Sequence, residues 1–406
     1  MAQGGALKRP ALAPAAPAPT PRAAARILPW SQVDAAWQDR WLELWRRTGA
    51  SPDLSPMWAA ALVAGHGVEP ADLYVLVAGP AEQPSLVWPF QLRSQRHRLG
   101  FRVRWVAPLQ NAFCMHSGLL TTMSSADACR AIVATLRAWS SPWDWIDVAA
   151  LEAGSALHAA WRRATAGRAS YRRAIPGERP PYIASPGSFT TFLDSRSPGF
   201  RKKARAQLRE LQTDTSLRLR VYTTADEMPA FLGEVLEIER LSWKHAAGQA
   251  ISSRGWELGF YRHLLASMAP LQCVSGAVLY VDGQPAAHSI DLVHADRVYG
   301  LKSSYDARYA DRSVGALLLT AMAARYFDRG CAEYDFLGTG EPYKLSWTSQ
   351  ARQHFSFVMY QPTVRGAGIG LLHSLAETAR RRRSQLPTAA RTPRPSHSRR
   401  PASVLL

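Results

Sequence analysis

No apolar run in this 406-residue sequence approaches the roughly 18 residues that a membrane-crossing helix requires. The first 29 residues carry Lys8, Arg9, Arg22 and Arg26 among Ala and Pro, with no acid and no apolar core of a secretory signal. A soluble, cytoplasmic protein is therefore the expectation. Cysteine is also scarce: Cys114, Cys129, Cys273 and Cys331 stand far apart, without a CxxC pair and without clustered histidines. That spacing does not suggest a zinc site and predicts reduced core thiols, with no metal cofactor expected. No Ser or Cys nucleophile sits beside an evident base, which agrees with chemistry by direct attack.

Acid is missing from both ends, and this accounts for most of the net charge of +18. Residues 1–29 hold four basic groups and residues 380–406 hold eight, so 12 of the 18 belong to the ends and the body keeps about +6. Such ends read as solvated tails that adhere to polyanions without specificity. No zinc-finger, basic-zipper or aromatic RNA-binding motif accompanies them, so specific nucleic-acid recognition is not expected.

What is present, at 47% hydrophobic, suffices for two domains. Strand-like runs at 73–78, 85–92, 102–107 and 145–148 alternate with helical patterns around Trp37, Trp41, Leu44 and Trp45, at 57–64 and at 126–139, as in an α/β layered domain. The tryptophans at helical spacing read as core. Residues 168–188, with Pro176, Pro180, Pro181 and Pro186, read as the connection between units. The expected division is a disordered Ala/Pro-rich leader at 1–26, a first unit at 27–183, a second at 184–383 and a disordered basic tail at 384–406.

The second unit has the more specific order. A basic helix at 199–212 keeps Phe200, Ala204, Leu208 and Leu211 on one face, with Arg201, Lys202, Lys203, Arg205 and Arg209 turned outward. A strand at 216–222 and a helix through Phe231, Val235, Ile238 and Leu241 follow, then a helix at 255–268. Three antiparallel strands come next, 274–281, 285–293 and 298–305, with Asp282-Gly283 as the first hairpin turn. A helix capped by Asp311 or Ser313, with Gly315 in its first turn and Gly330 at its end, leads into a strand at 332–337 that stops in Gly338-Thr339-Gly340.

That stop delivers Glu341, Tyr343 and Lys344 just past the C-terminal edge of a strand, a common home for active sites. Upstream, Arg312, Ser313, Val314, Gly315 and Ala316 make a plausible phosphate cradle, because free backbone N–H groups and the helix dipole favour an anion there. Plain alternatives exist: a surface salt bridge for Glu341 with Lys344, and a paired structural carboxylate for Asp335 in its apolar strand. Strand alternation places His288 with Ile290 and Leu292 and turns Asp291 to the other face with Ser289, so His288 reads as a core histidine. Trp347 reads as a packing residue.

With these residues in place, the chain resembles the GNAT acyltransferase superfamily, and within it the CelD-type branch named for cellulose biosynthesis. The resemblance rests on Tyr305-Asp306, Tyr309, Ser313-x-Gly315 and the run Asp335-Phe336-Leu337-Gly338-x-Gly340-Glu341-x-Tyr343-Lys344-x-x-Trp347, with Phe200-Arg201-Lys202-Lys203 upstream. It covers Ser188 to about Tyr360. This branch is also similar to the FemABX peptidyltransferases, whose chains hold two GNAT-like halves. The implied fold is tandem GNAT-like domains, each a mixed, mostly antiparallel sheet flanked by helices. The first unit lacks the Ser-x-Gly and Glu-x-Tyr-Lys counterparts and would be degenerate, with a substrate-shaping role.

The resemblance implies transfer of an acyl group, acetyl above all, from acyl-CoA to an amine or hydroxyl of a polar acceptor such as a saccharide precursor. Pantetheine would lie between strands 298–305 and 332–337, with the pyrophosphate on the backbone of Arg312 to Ala316. Asp335 or Glu341 would take the acceptor's proton, Tyr343 would protonate the departing thiolate, and Lys344 would hold the carboxylate or an anionic substrate. Two other readings stay open: a Fem-like transferase using aminoacyl-tRNA, and a non-catalytic GNAT-like scaffold.

Overall fold

The computed structural model describes residues 25–109, 118–164, 172–177, 179–185 and 187–385. Cys114 and most of the leader and tail fall outside them. The chain opens with β1 (Arg26–Pro29), α1 (Ala35–Thr48) and α2 (Pro56–Ala64). Asp34 caps α1 by accepting the Trp37 amide, and Gly49 closes it in the left-handed conformation. The tryptophans of α1 are core: the indoles of Trp41 and Trp45 are buried and donate to the carbonyls of Leu54 and Ser51 at 2.7 and 3.0 Å.

Then come β2 (Leu73–Ala78), β3 (Leu86–Arg96), β4 (Arg102–Pro108), β5 (Leu120–Thr121), α3 (Ser125–Ala138), β6 (Trp145–Glu152), α4 (Ala156–Ala164) and β7 (Arg172–Pro176). The second half follows with β8 (Tyr182–Ala184), α5 (Phe189–Asp194), α6 (Pro198–Thr213), β9 (Leu217–Tyr222), α7 (Met228–Arg240), α8 (Trp243–Ala246) and α9 (Gly255–Met268). It continues through β10 (Val274–Val281), β11 (Gln284–His294), β12 (Arg297–Tyr305), α10 (Val314–Asp328), β13 (Glu333–Asp335) and α11 (Pro342–Leu345) to β14 (His354–Tyr360) and α12 (Val364–Gln385).

Two mixed sheets result, ordered β1-β2-β3-β4-β6-β14-β7, with β5 beside β3, and β8-β13-β12-β11-β10-β9. Each is built the same way. Three antiparallel strands in sequence (β2 to β4, β10 to β12) lead through one helix (α3, α10) to a parallel neighbour (β6, β13). The connecting helix supplies the crossover that a parallel pair requires. The fold is thus α/β, two mixed sheets flanked by helices, as the sequence predicts.

The ends of the two sheets are exchanged. The stretch 168–188, read from the sequence as a connection, contains a strand of each: β7 pairs with β14, and β8 pairs with β13. β14, whose position in the sequence groups it with the second unit, lies between β6 and β7 in the first sheet. The C-terminal strand therefore completes the N-terminal sheet.

One apolar core joins the halves. Trp41, Trp45, Trp58, Leu62 and Leu73 pack in the same cluster as Phe231, Val235, Phe260, Leu264, Val278 and Ile290. Helices α2 and α9 meet where neither has a side chain: a Cβ on Gly65 would lie 2.6 Å from the Phe260 nitrogen, and one on Gly259 would lie 2.8 Å from the Gly65 Cα. On its other face the second sheet packs Ala277, Leu279 and Val298 against Phe192, Leu317, Leu318 and Phe327 of α5 and α10. Among the described residues no helix is long and apolar enough to cross a membrane.

Truncation after Trp347 removes an inner strand of the first sheet and should abolish the cooperative thermal transition of the whole chain, followed by circular dichroism. Retention of that transition at its full-length midpoint would refute the dependence.

Candidate active site

The pairing of β12 with β13 is short: Arg297 with Glu333, Val298 with Tyr334 and Tyr299 with Asp335. Beyond it the strands part. On β12 a bulge opposite Ile290 and Asp291 bends the strand, and after Asp335 the chain turns through Leu337 and Gly338, both left-handed with φ of 51° and 61°. The resulting groove has a backbone carbonyl on each lip, and each carbonyl holds an ammonium group. Lys244 on α8 donates to the Ser303 oxygen at 2.5 Å, and Lys344 on α11 donates to the Leu337 oxygen at 2.9 Å.

Of the residues singled out in the sequence, three meet at this groove. Lys344, with its side chain 7% exposed, pairs with Glu341 at 2.7 Å, so this ion pair has one buried end rather than two solvated ones. Tyr343 is half-exposed, and its hydroxyl hydrogen-bonds toward the Ser303 side chain; burial of that hydroxyl, then the Glu341 charge, pushes it up to about 12. Asp335 is placed differently. One of its oxygens accepts from the Leu337 amide at 2.8 Å and the other from Arg352 at 2.9 Å, while Arg352 also holds Glu333 at 2.6 Å. Asp335 thus has the surroundings of a paired structural carboxylate.

The residues expected to make a cradle stand at the start of α10. Ser313 stands at the N-cap position but is left-handed, with φ of 50°, and its side chain makes no capping bond. The first N–H groups of α10 are therefore not covered by a side chain. Gly315 serves by closeness, since a Cβ there would lie 3.1 Å from the Tyr305 ring, so the helix start sits directly against the end of β12. Val314 is buried, and the Ala316 amide bonds the Ser313 carbonyl. Arg312 turns its guanidinium to Asp214 at 2.7 Å, which ties the helix start to the chain before β9. The corresponding helix of the first sheet differs, because Ser124 accepts the Asp127 amide and caps α3, with the Asp127 carboxylate in its first turn.

A buried polar cluster beneath the β12 lip has no counterpart in the sequence reading. Glu239 on α7 is fully buried, 3.6 Å from His288 Nε2 and 3.7 Å from Lys302 Nζ, and accepts the Ile251 amide at 2.6 Å. Lys302 also reaches Glu257 at 3.2 Å and the Gln249 carbonyl at 2.9 Å. Burial pushes Glu239 up, but His288, Lys302 and the Ile251 amide outweigh it and hold the carboxyl below its usual range. Burial lowers His288 despite the neighbouring carboxylate. The available signal was Glu239 four residues after Val235, on the buried face of its helix. His288 is buried as expected, but beside a charged pair; Lys244, in a four-residue helix, left no periodic trace.

On the opposite face, Asp291 accepts from Tyr326 at 2.8 Å, Ser289 at 3.1 Å and Tyr334 at 3.5 Å, with no cation within 4 Å among the described residues. Burial pushes this carboxyl up to about 7, although the three hydroxyls oppose it.

The meander, crossover helix and parting parallel pair occur twice, and the second copy sets the uncapped start of α10 on the same strand, β12, as the Tyr343 and Lys244 contacts. Residues 198–345 match the family model described as Acetyltransferase (GNAT) domain. No curated protein matches the chain by sequence. Among solved structures, FemX is similar at 10% identity and TM-score 0.55, over 79% of this chain and 95% of that one. The C-terminal domain (DUF2156) of a putative lysylphosphatidylglycerol synthetase from Agrobacterium fabrum matches at 11% identity and TM-score 0.49, over 82% and 94%. A tandem GNAT protein from the clavulanic acid biosynthesis pathway matches at 13% identity and TM-score 0.42, over 84% and 99%. At 10% identity the likeness to FemX is one of fold.

Because the folded value of Asp291 is raised, its contribution to stability is complete below the unfolded carboxylate value of about 3.9 and is lost as pH rises toward 7, at up to about 1.4 kcal/mol per unit. Asp291→Asn should flatten the urea-derived stability between pH 4 and 7. A slope identical to that of the parent chain would count against this assignment.

Proposed function

We propose that the chain transfers an acyl group, acetyl above all, from acyl-CoA to an amine or hydroxyl of a polar acceptor in the groove between β12 and β13. What supports this most directly is the uncapped start of α10 beside a groove that also holds Glu341, Tyr343 and Lys344. The backbone of Arg312 to Ala316 would receive the pyrophosphate, and Gly315 leaves that backbone close to β12. The thioester supplies the activated acyl carbon.

Glu341, held by Lys344, takes the proton of the attacking acceptor, since it is the groove's half-exposed carboxylate. Tyr343 keeps its proton at neutral pH and donates a hydrogen bond at the β12 lip. Asp335, spent on Arg352 and the Leu337 amide, has the supporting role of fixing the β13 end. The acceptor side carries exposed Trp243, Tyr343 and Leu345, with rings that suit the apolar face of a sugar. A saccharide precursor or amino sugar is accordingly the acceptor class, consistent with the CelD-type branch and with cell-envelope or polysaccharide biosynthesis.

Calorimetric titration with acetyl-CoA and longer acyl-CoAs should show binding that Gly315→Val weakens by tenfold or more, because the added side chain must displace the Tyr305 ring or the helix start. With a panel of amino sugars, release of free thiol should fall about a hundredfold in Glu341→Gln. Failure of every acyl-CoA to bind the parent chain would sink the reading.

A further inference from the structure

Two of the three lysines at the groove are already paired. Lys344 holds Glu341, and Lys302 lies between Glu239 and Glu257. Lys244 forms no ion pair within 4 Å among the described residues; its ammonium rests on the Ser303 carbonyl, on the stretch of β12 that β13 has left. The corner that presents it is fixed. Ser242 donates to the Glu239 carbonyl at 2.7 Å, and the Ala307 amide bonds the Leu241 carbonyl at 3.1 Å, tying the end of α7 to the end of β12. The ammonium also lies over the Trp243 ring, 6.0 Å from its centre, so it is held by one carbonyl and one ring and by no carboxylate within 4 Å among the described residues, and is poised to turn to a stronger acceptor.

Resting on the acyl-CoA reading of this groove, we propose that Lys244 is a catalytic residue that meets the sulfur leaving the thioester. As the acceptor nitrogen or oxygen bonds the acyl carbon, the carbon–sulfur bond breaks with its electron pair on sulfur. The Lys244 ammonium stabilises that thiolate and gives it a proton, while the acceptor's own proton passes to Glu341. Lys244 then regains a proton from water and Glu341 returns one, so the products are the acylated acceptor and the free thiol.

The surroundings match this task. Burial, then the like charge of Lys302 on β12, pulls Lys244 down to about 8, with Glu239 on α7 and Glu341 opposing and Lys344 on α11 assisting. A thiol loses its proton near 8.5, so donor and acceptor are matched, which favours transfer. Tyr343, at about 12, is the weaker acid.

The test is calorimetry at pH 7 with CoA and with desulfo-CoA, each in phosphate and in Tris, whose different ionisation heats report protons released on binding. The parent chain should release protons with CoA but not with desulfo-CoA, and should bind CoA at least tenfold more tightly. Lys244→Met should abolish the release and equalise the two affinities, leaving desulfo-CoA binding unchanged; Lys244→Gln serves if the Met variant does not fold. Equal behaviour of the two ligands in the parent chain, or proton release that survives either substitution, overturns the role of Lys244 while leaving the acyl-CoA reading standing. Binding of neither ligand overturns both.

Discussion

The site depends on the point at which β13 stops following β12. A parallel pair held by three residue pairs would lengthen if the chain after Asp335 stayed extended. Two constraints prevent it. Leu337 and Gly338 adopt left-handed backbone, which Gly takes without cost and Leu takes only when its surroundings impose it. Asp335 imposes it by accepting the Leu337 amide across the turn while Arg352 fixes the other carboxylate oxygen. A buried carboxylate would be costly alone, but as the pivot of a turn and an ion pair it sets where the groove begins.

Arg352 also ties the groove to the exchanged strands. It lies on the path from α11 to β14, and its ring contact with Tyr182, 4.0 Å from the guanidinium, reaches the strand that borders β13. The segment that completes the first sheet therefore also clamps the second. Together with the core shared by α1, α2, α7 and α9, and with Trp45 stacked on His294 at 3.8 Å, this makes the halves mechanically one. A groove between two parted strands needs such support, because neither lip has the hydrogen bonds of a continuing ladder.

Much of this was legible in the sequence. The meander from β10 to β12, its Asp282-Gly283 turn, helices α6, α9 and α10, and the stop at Gly338 follow from periodicity and turn chemistry, which are local. The strand exchange was not, because the aromatic and β-branched residues of β14 suit a strand but do not say which sheet receives it. Asp335 could be read as buried, whereas its partner 17 residues away could not. Ser313 has the right identity for a cap but a left-handed backbone in place of the extended one a cap uses, and its side chain makes no capping bond. The Glu239, His288 and Lys302 cluster draws on α7, β11 and β12, and only the packing of one helix on two strands brings it together.

The repeated framework also bears on why the proposed chemistry is assigned to the second half. Both sheets have a short parallel pair after the meander, two residue pairs in the first and three in the second, so both part in the same manner. Their connecting helices differ at the end that faces the gap. At α3 a serine takes the amide that an anion would need, and Asp127 adds a negative charge in the first turn. At α10 the serine is turned aside and no acid stands in the first turn. Since a helix start attracts an anion through its free amides and its dipole, capping by Ser124 and the charge of Asp127 oppose in the first sheet the attraction that the second leaves intact. Of the two connecting helices, α10 is thus the one whose start is left uncapped and free of acid, on the side of β12 that Lys244 and Tyr343 also reach.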